Sequence, residues 1–168
     1  SPTKRRRPGG RRKAGLPVTT PFSTVEGGCH CGAITLVLST ALVPTTTAAR
    51  ACDCSFCRAH GAAWISDPEA GLVIHTHRPD RLRRYRQGSQ AAQFLLCGDC
   101  GVLVAVLFEE GDQRFAAVNV ACLQARDTFA PPVAASPQSL PPDEKTARWR
   151  RLWIRDVQVV AARVGVSP

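Results

Sequence analysis

No apolar run in this 168-residue chain is long enough to cross a bilayer: the longest, over residues 102–108, falls far short of a spanning helix. No acidic residue precedes Glu26, and the N-terminal stretch lacks the apolar core of a secretory signal. The first absence excludes a transmembrane helix as the organising element. The second marks off a basic tail, and the third points to a reducing, cytoplasmic compartment.

Charge is correspondingly lopsided. Of 22 Lys and Arg residues, Lys4, Arg5, Arg6, Arg7, Arg11, Arg12 and Lys13 supply seven, leaving 15 basic against 13 acidic residues, or +2 in place of +9. A nucleic-acid partner would therefore rest on the tail alone. Residues 1–21 mix basic clusters with Pro, Gly and Thr and are expected to be disordered. Residues 22–130 read as a single β domain, and residues 131–168 as a Pro-rich arm, a short helix and a terminal segment packed on the same domain. At 18.1 kDa the chain is large enough to bury a core and small enough to profit from metal staples.

Cysteine is what the chain has in excess. Seven of its eight cysteines fall into three groups, Cys29 with Cys31, Cys52 with Cys54 and Cys57, and Cys97 with Cys100. Such Cys-x-Cys and Cys-x-x-Cys spacings suit metal chelation better than a disulfide framework. Spacing alone does not say which groups share an ion. The simplest partition keeps the contiguous triple together and joins the outlying pairs, giving one site of four sulfurs and one of three. Zinc is the default metal for thiolates in a reducing cell. Four thiolates close its tetrahedron, whereas three leave a position at which a substrate thiol or water can bind and be activated. Cys122 stands apart after an apolar stretch and reads as a buried, inert thiol.

Around the triple, in ACDCSFCRAH at residues 51–60, Asp53 and Ser55 should face away from the ligands. Arg58, and Arg50 likewise, would offset the net negative charge of a three-thiolate zinc and attract an anion. His60 lies within reach of the open position, either as a proton shuttle or as a fourth ligand. His30, between two extended ligands, should point the other way.

Elsewhere, strands are expected over residues 34–38, 61–65, 72–74 and 94–96, with Gly98 and Gly101 supplying left-handed backbone for the Cys97–Cys100 turn. Residues 102–108 and 115–120 read as a hairpin about Glu110, Gly111 and Asp112. His75 and His77 should lie on a half-exposed edge. Arg78, Arg81, Arg83, Arg84 and Arg86 form a solvated face, one or two of them possible carboxylate anchors. Residues 130–142 read as an irregular arm. Asp143 should cap a helix ending near Trp153, with Trp149, Leu152 and Trp153 on its packing face. Residues 157–164 suit either a last strand or a tail.

Three blocks, GGCHCGAI at residues 27–34, CDCSFCRAHGA at 52–62 and LCGDCG at 96–101, resemble in order and spacing the glutathione-dependent formaldehyde-activating enzyme family, to which centromere protein V belongs. The resemblance implies a mainly β fold of coiled antiparallel sheets, like that of a zinc-binding Rab-exchange-factor chaperone (Mss-like), with a short C-terminal helix. It also implies a structural zinc at Cys29, Cys31, Cys97 and Cys100 and a catalytic zinc at Cys52, Cys54 and Cys57. The implied reaction adds glutathione to formaldehyde, as S-(hydroxymethyl)glutathione synthase, a carbon–sulfur lyase, does. The competing expectation is a non-catalytic zinc module tethered by its basic tail to nucleic acid or another anionic partner.

Overall fold

The computed structural model describes residues 21–162, so the disorder expected of the basic tail falls almost wholly outside the described residues. Alternation of aliphatic and polar side chains makes Ile34–Thr40 a strand with one face buried through Ile34, Leu36, Leu38 and Thr40. Two other strands flank it antiparallel, Ser23–Gly28 on one side and Gly71–Thr76 on the other. In chain order the strands are β1 (Ser23–Gly28), β2 (Ile34–Thr40), β3 (Ala48–Cys52), β4 (Ala63–Ile65), β5 (Gly71–Thr76), β6 (Leu82–Tyr85), β7 (Ala92–Cys97), β8 (Leu103–Glu110), β9 (Gln113–Asn119), β10 (Ala130–Ala135) and β11 (Asp156–Ala161). The α-helices are α1 (Ser55–Ala59) and α2 (Pro142–Leu152).

The fold is mainly β, in two sheets: a four-stranded one ordered β1-β2-β5-β11 and a seven-stranded one ordered β10-β3-β4-β9-β8-β7-β6. In β8, residues 103–108 are buried without a break, because both faces of the large sheet are covered. Val104 and Leu107 join Leu36, Ile74 and Leu123 in the core shared with the small sheet. Val106 and Phe108 look the other way, onto Phe115, Trp149 and Trp153. The expected hairpin is β8 and β9, in register from Ala105 opposite Val118 to Glu110 opposite Gln113.

The sheets are not wholly antiparallel. The last two strands among the described residues join in parallel, β10 onto β3 and β11 onto β5. The Pro-rich stretch is thus a strand at its start rather than an irregular arm. Pro131 and Pro132 are tolerated because β10 lies at the sheet edge, and the register shifts between Ala130 and Val133 where they sit. The addition of β11 makes β5 an interior strand, so His75 is not on an edge. Of the two options for the last segment, residues 156–161 form the strand. Asp143 does not cap α2: Pro141 holds that position, and Asp143 and Glu144 lie in the first turn, where they oppose the helix dipole. No helix among the described residues is long and apolar enough to cross a membrane.

Candidate metal centres and the cavity beside them

All eight cysteines are free thiols, and seven of them gather into the two groups expected from spacing. In each group the sulfurs lie within 4.8 Å of one another. Cys29 and Cys31 sit in the turn from β1 to β2, while Cys97 ends β7 and Cys100 occupies the turn into β8. The Sγ atoms of Cys29 and Cys31 are 3.7 Å apart, and those of Cys31 and Cys97 are 3.5 Å apart. Tetrahedral Zn–S bonds of about 2.3 Å would place sulfurs roughly 3.8 Å apart, so this donor set fits a thiolate-bound zinc-sized cation.

Gly101 holds the left-handed backbone at φ 77° in that turn. Gly98 does not; its backbone N–H donates to the Arg81 carbonyl at 2.6 Å, and a Cβ there would sit 2.8 Å from that oxygen. The Ile34 amide donates to Cys29 Sγ at 3.2 Å. Arg78 points its guanidinium at Cys31 Sγ and, with Arg81, pairs with Asp99 at 3.0 and 3.4 Å. Two of the expected surface arginines therefore buttress the four-sulfur group. Burial pushes the Cys29 thiol up to about 12. Four thiolates this close would repel one another, so ionising all four together calls for a cation among them.

The three-sulfur group is assembled by the junction of β3 and α1. Cys52 ends the strand, Cys54 is the helix N-cap, and Cys57 lies inside the helix. The region after Cys54 is thus a helical turn in place of a plain loop. Cys54 Sγ accepts from the Cys57 amide at 3.4 Å and from the Gln87 side chain at 3.8 Å. The contact with Cys57 draws Cys52 down to about 6, while the same contact, with burial, pushes Cys57 up. Asp53 turns away, accepting from Ser136 at 2.7 Å and Gln138 at 3.1 Å, which ties the segment after β10 to this junction.

A cavity of about 490 Å³ opens directly on Cys52, Cys54 and Cys57. Trp64, Phe94, Trp149 and Trp153 supply its aromatic wall. Trp149 and Trp153 stack with ring centres 4.8 Å apart. Arg50, Lys145 and Arg148 bring positive charge to the same space. Arg50 donates to Ser66 Oγ, which in turn donates to the Leu152 carbonyl at 2.8 Å, fixing the guanidinium against the end of α2. Burial, and then repulsion from Arg148, hold Arg50 below the usual arginine range. Among the described residues neither Arg50 nor Arg148 has a carboxylate partner within 4.0 Å.

Arg58 and His60 are placed differently from expectation. Both are exposed, and neither lines the cavity. Cys57 points inward, so the next residue on α1 is turned about 100° away, toward solvent. His60 is the C-cap, its ring packed on Phe56 at 4.7 Å. Of the arginines at 78–86 none lines the cavity; Arg84 bonds Gln93 at 3.0 Å and Arg86 the Gln90 carbonyl at 2.7 Å. Sequence reasoning missed Lys145 and Arg148. The signal was present, since Lys145, Arg148 and Trp149 follow i, i+3, i+4 spacing, but that pattern reads first as packing. Cys122 is buried, donates to the Asn119 carbonyl at 3.0 Å and is pushed up to about 12 by burial, as an inert core thiol should be.

Comparison with known proteins follows the same outline. The family model described as glutathione-dependent formaldehyde-activating enzyme matches residues 24–136. No curated protein matches the chain. Among solved structures, a Rhodobacter sphaeroides protein is 29% identical, the alignment covering 64% of this chain and 99% of that one at a TM-score of 0.47.

Proposed function

This chain belongs to the glutathione-dependent formaldehyde-activating enzyme family, and from that premise we propose that it catalyses the reversible addition of a thiol, glutathione in the first instance, to formaldehyde or a related aldehyde. In the cleavage direction this is carbon–sulfur lyase chemistry, in a reducing, cytoplasmic setting. One observation carries the reading: three thiols within 4.8 Å of one another form part of the wall of a cavity that also holds guanidinium groups with no carboxylate partner among the described residues.

We assign both sulfur groups to zinc. Cys29, Cys31, Cys97 and Cys100 would close a structural site, while Cys52, Cys54 and Cys57 would supply three ligands of an open one. When bound at the open site, zinc supplies a Lewis acid that favours thiolate over thiol near neutral pH. The substrate sulfur forms a bond to the aldehyde carbon, and the carbonyl π pair moves onto oxygen. The proton shed by the thiol ends on that oxygen, so atoms and electrons balance without an oxidant. Arg50, one of the anchors expected from the sequence, and Arg148 would hold a substrate carboxylate, in place of Arg58 and the arginines at 81–86. The Gln87 amide steadies Cys54 Sγ, and the aromatic wall keeps bulk water from the reacting atoms. Solvent, in place of His60, would carry the proton. The alternative, a non-catalytic module, needs no such cavity.

The test is exchange spectroscopy of formaldehyde with glutathione in the presence of zinc-replete protein. Exchange between free formaldehyde and the S-hydroxymethyl adduct should exceed the buffer rate by about 100-fold or more, the scale of positioned catalysis. A rate equal to buffer would remove the assignment.

A further inference from the structure

The family-matched span ends at residue 136, yet the far wall of the cavity comes from beyond it. Leu140, Lys145, Arg148, Trp149 and Trp153 all line the space, and all lie on α2 or the segments flanking it. Trp149 and Trp153, with Trp64 and Phe94, make much of that wall apolar, with positive charge at Arg50, Lys145 and Arg148. A volume of about 490 Å³ far exceeds what a one-carbon aldehyde occupies and lies in the range that holds a drug-sized ligand.

Glutathione is polar along its whole length. Against the aromatic side its amide groups would lack hydrogen-bond partners, which only the side bearing Gln87, Ser89 and Gln138 offers. The wall is better matched to a flat hydrocarbon body. The guanidinium groups, lacking protein carboxylates among the described residues, call for an anion at its end.

We infer that the cavity accepts a ring-bearing monocarboxylate, its ring against Trp64, Phe94, Trp149 and Trp153 and its carboxylate at Arg50 and Arg148, and that α2 sets this preference. The inference rests on the proposed thiol–aldehyde chemistry only in naming the ligand as the substrate's body. The substrate class it selects is an aldehyde, or the adduct it forms with a thiol, that carries an aromatic ring and a carboxylate.

All three tryptophans of the chain line this cavity, so intrinsic tryptophan fluorescence reports on it alone. Full-length, zinc-replete protein is titrated with 3-phenylpropanoate, with the uncharged 3-phenylpropanol and the ringless propanoate as controls. The expected result is a saturable change with 3-phenylpropanoate and at least about tenfold weaker binding of both controls. R148Q should bind it about tenfold more weakly, the loss of one charge-assisted contact, and R148K should recover part of that loss. Equal affinity for the acid and the alcohol in wild-type protein would overturn the inference without recourse to a variant. So would absence of saturation, or an R148Q affinity equal to wild type. The exchange assay on the same preparation reports separately on the thiol–aldehyde reading, so either can fail while the other stands.

Discussion

Cys97→Ser is expected to abolish the cooperative thermal transition, and exhaustive chelation of the wild type to do the same. Cys97 joins two distant parts of the chain: its sulfur lies 3.5 Å from that of Cys31, across the gap between the β1–β2 turn and the β7–β8 turn. Those turns belong to different sheets, so an ion held by the four sulfurs would fasten the small sheet to the large one. Apparent binding free energies of structural zinc sites run to about 10–16 kcal/mol, while a domain's whole stability is about 5–15 kcal/mol. Serine lacks the thiolate, and it leaves Cys29, Cys31 and Cys100 with no fourth donor. Circular dichroism on heating should show low far-ultraviolet strand signal and no sharp melting step. A melting temperature within a few degrees of wild type would mean that the packing around Leu36, Ile74 and Leu107 holds the sheets together unaided.

Cys54→Ser, by contrast, is expected to keep the fold and lose the proposed activity. Cys54 is the N-cap of α1, and its sulfur accepts the Cys57 amide. Serine is among the preferred N-cap residues, its oxygen accepting the same kind of bond, so the helix start survives the exchange. The donor set does not survive, because a neutral hydroxyl replaces one of three thiolates. Altering even the groups that support a metal ligand costs 10–100-fold, so loss of a ligand should lower the formaldehyde–glutathione exchange rate by at least about 100-fold. The melting temperature should stay close to wild type. Retained exchange would detach the chemistry from the triple. A collapse as deep as that of Cys97→Ser would make the three-sulfur group structural instead of catalytic.

The triple was legible in the spacing of cysteines, because local chain geometry decides that its sulfurs can meet, whereas the joining of the two outlying pairs was only the simplest partition. Cys52, Cys54 and Cys57 are too near in sequence to diverge once a strand end runs into a helical turn. The β8–β9 hairpin was legible for a similar reason, as an apolar run meets Glu110, Gly111 and Asp112 and then resumes. β10 was hidden, since Pro131 and Pro132 argue against a strand and only an edge partner makes one there. The parallel joins of β10 and β11 depend on contacts across the whole chain that no local pattern encodes. Arg58 and Arg50 were indistinguishable by distance from the triple. Only the inward turn of Cys57 on α1, and the bond from Arg50 to Ser66, decide which guanidinium reaches the cavity. Trp149 and Trp153 had the spacing of a packing face and indeed pack, but one side of that face is a cavity wall.

We propose that the two sulfur groups each hold an ion, one closed by four thiolates and one left open by three. Native mass spectrometry of the protein, purified under reducing conditions without added metal, tests it most directly. Two zinc ions per chain are predicted, falling to one in Cys54→Ser while that variant stays folded. A folded wild-type chain carrying no metal, or one whose cysteines prove to be paired as disulfides, would contradict it.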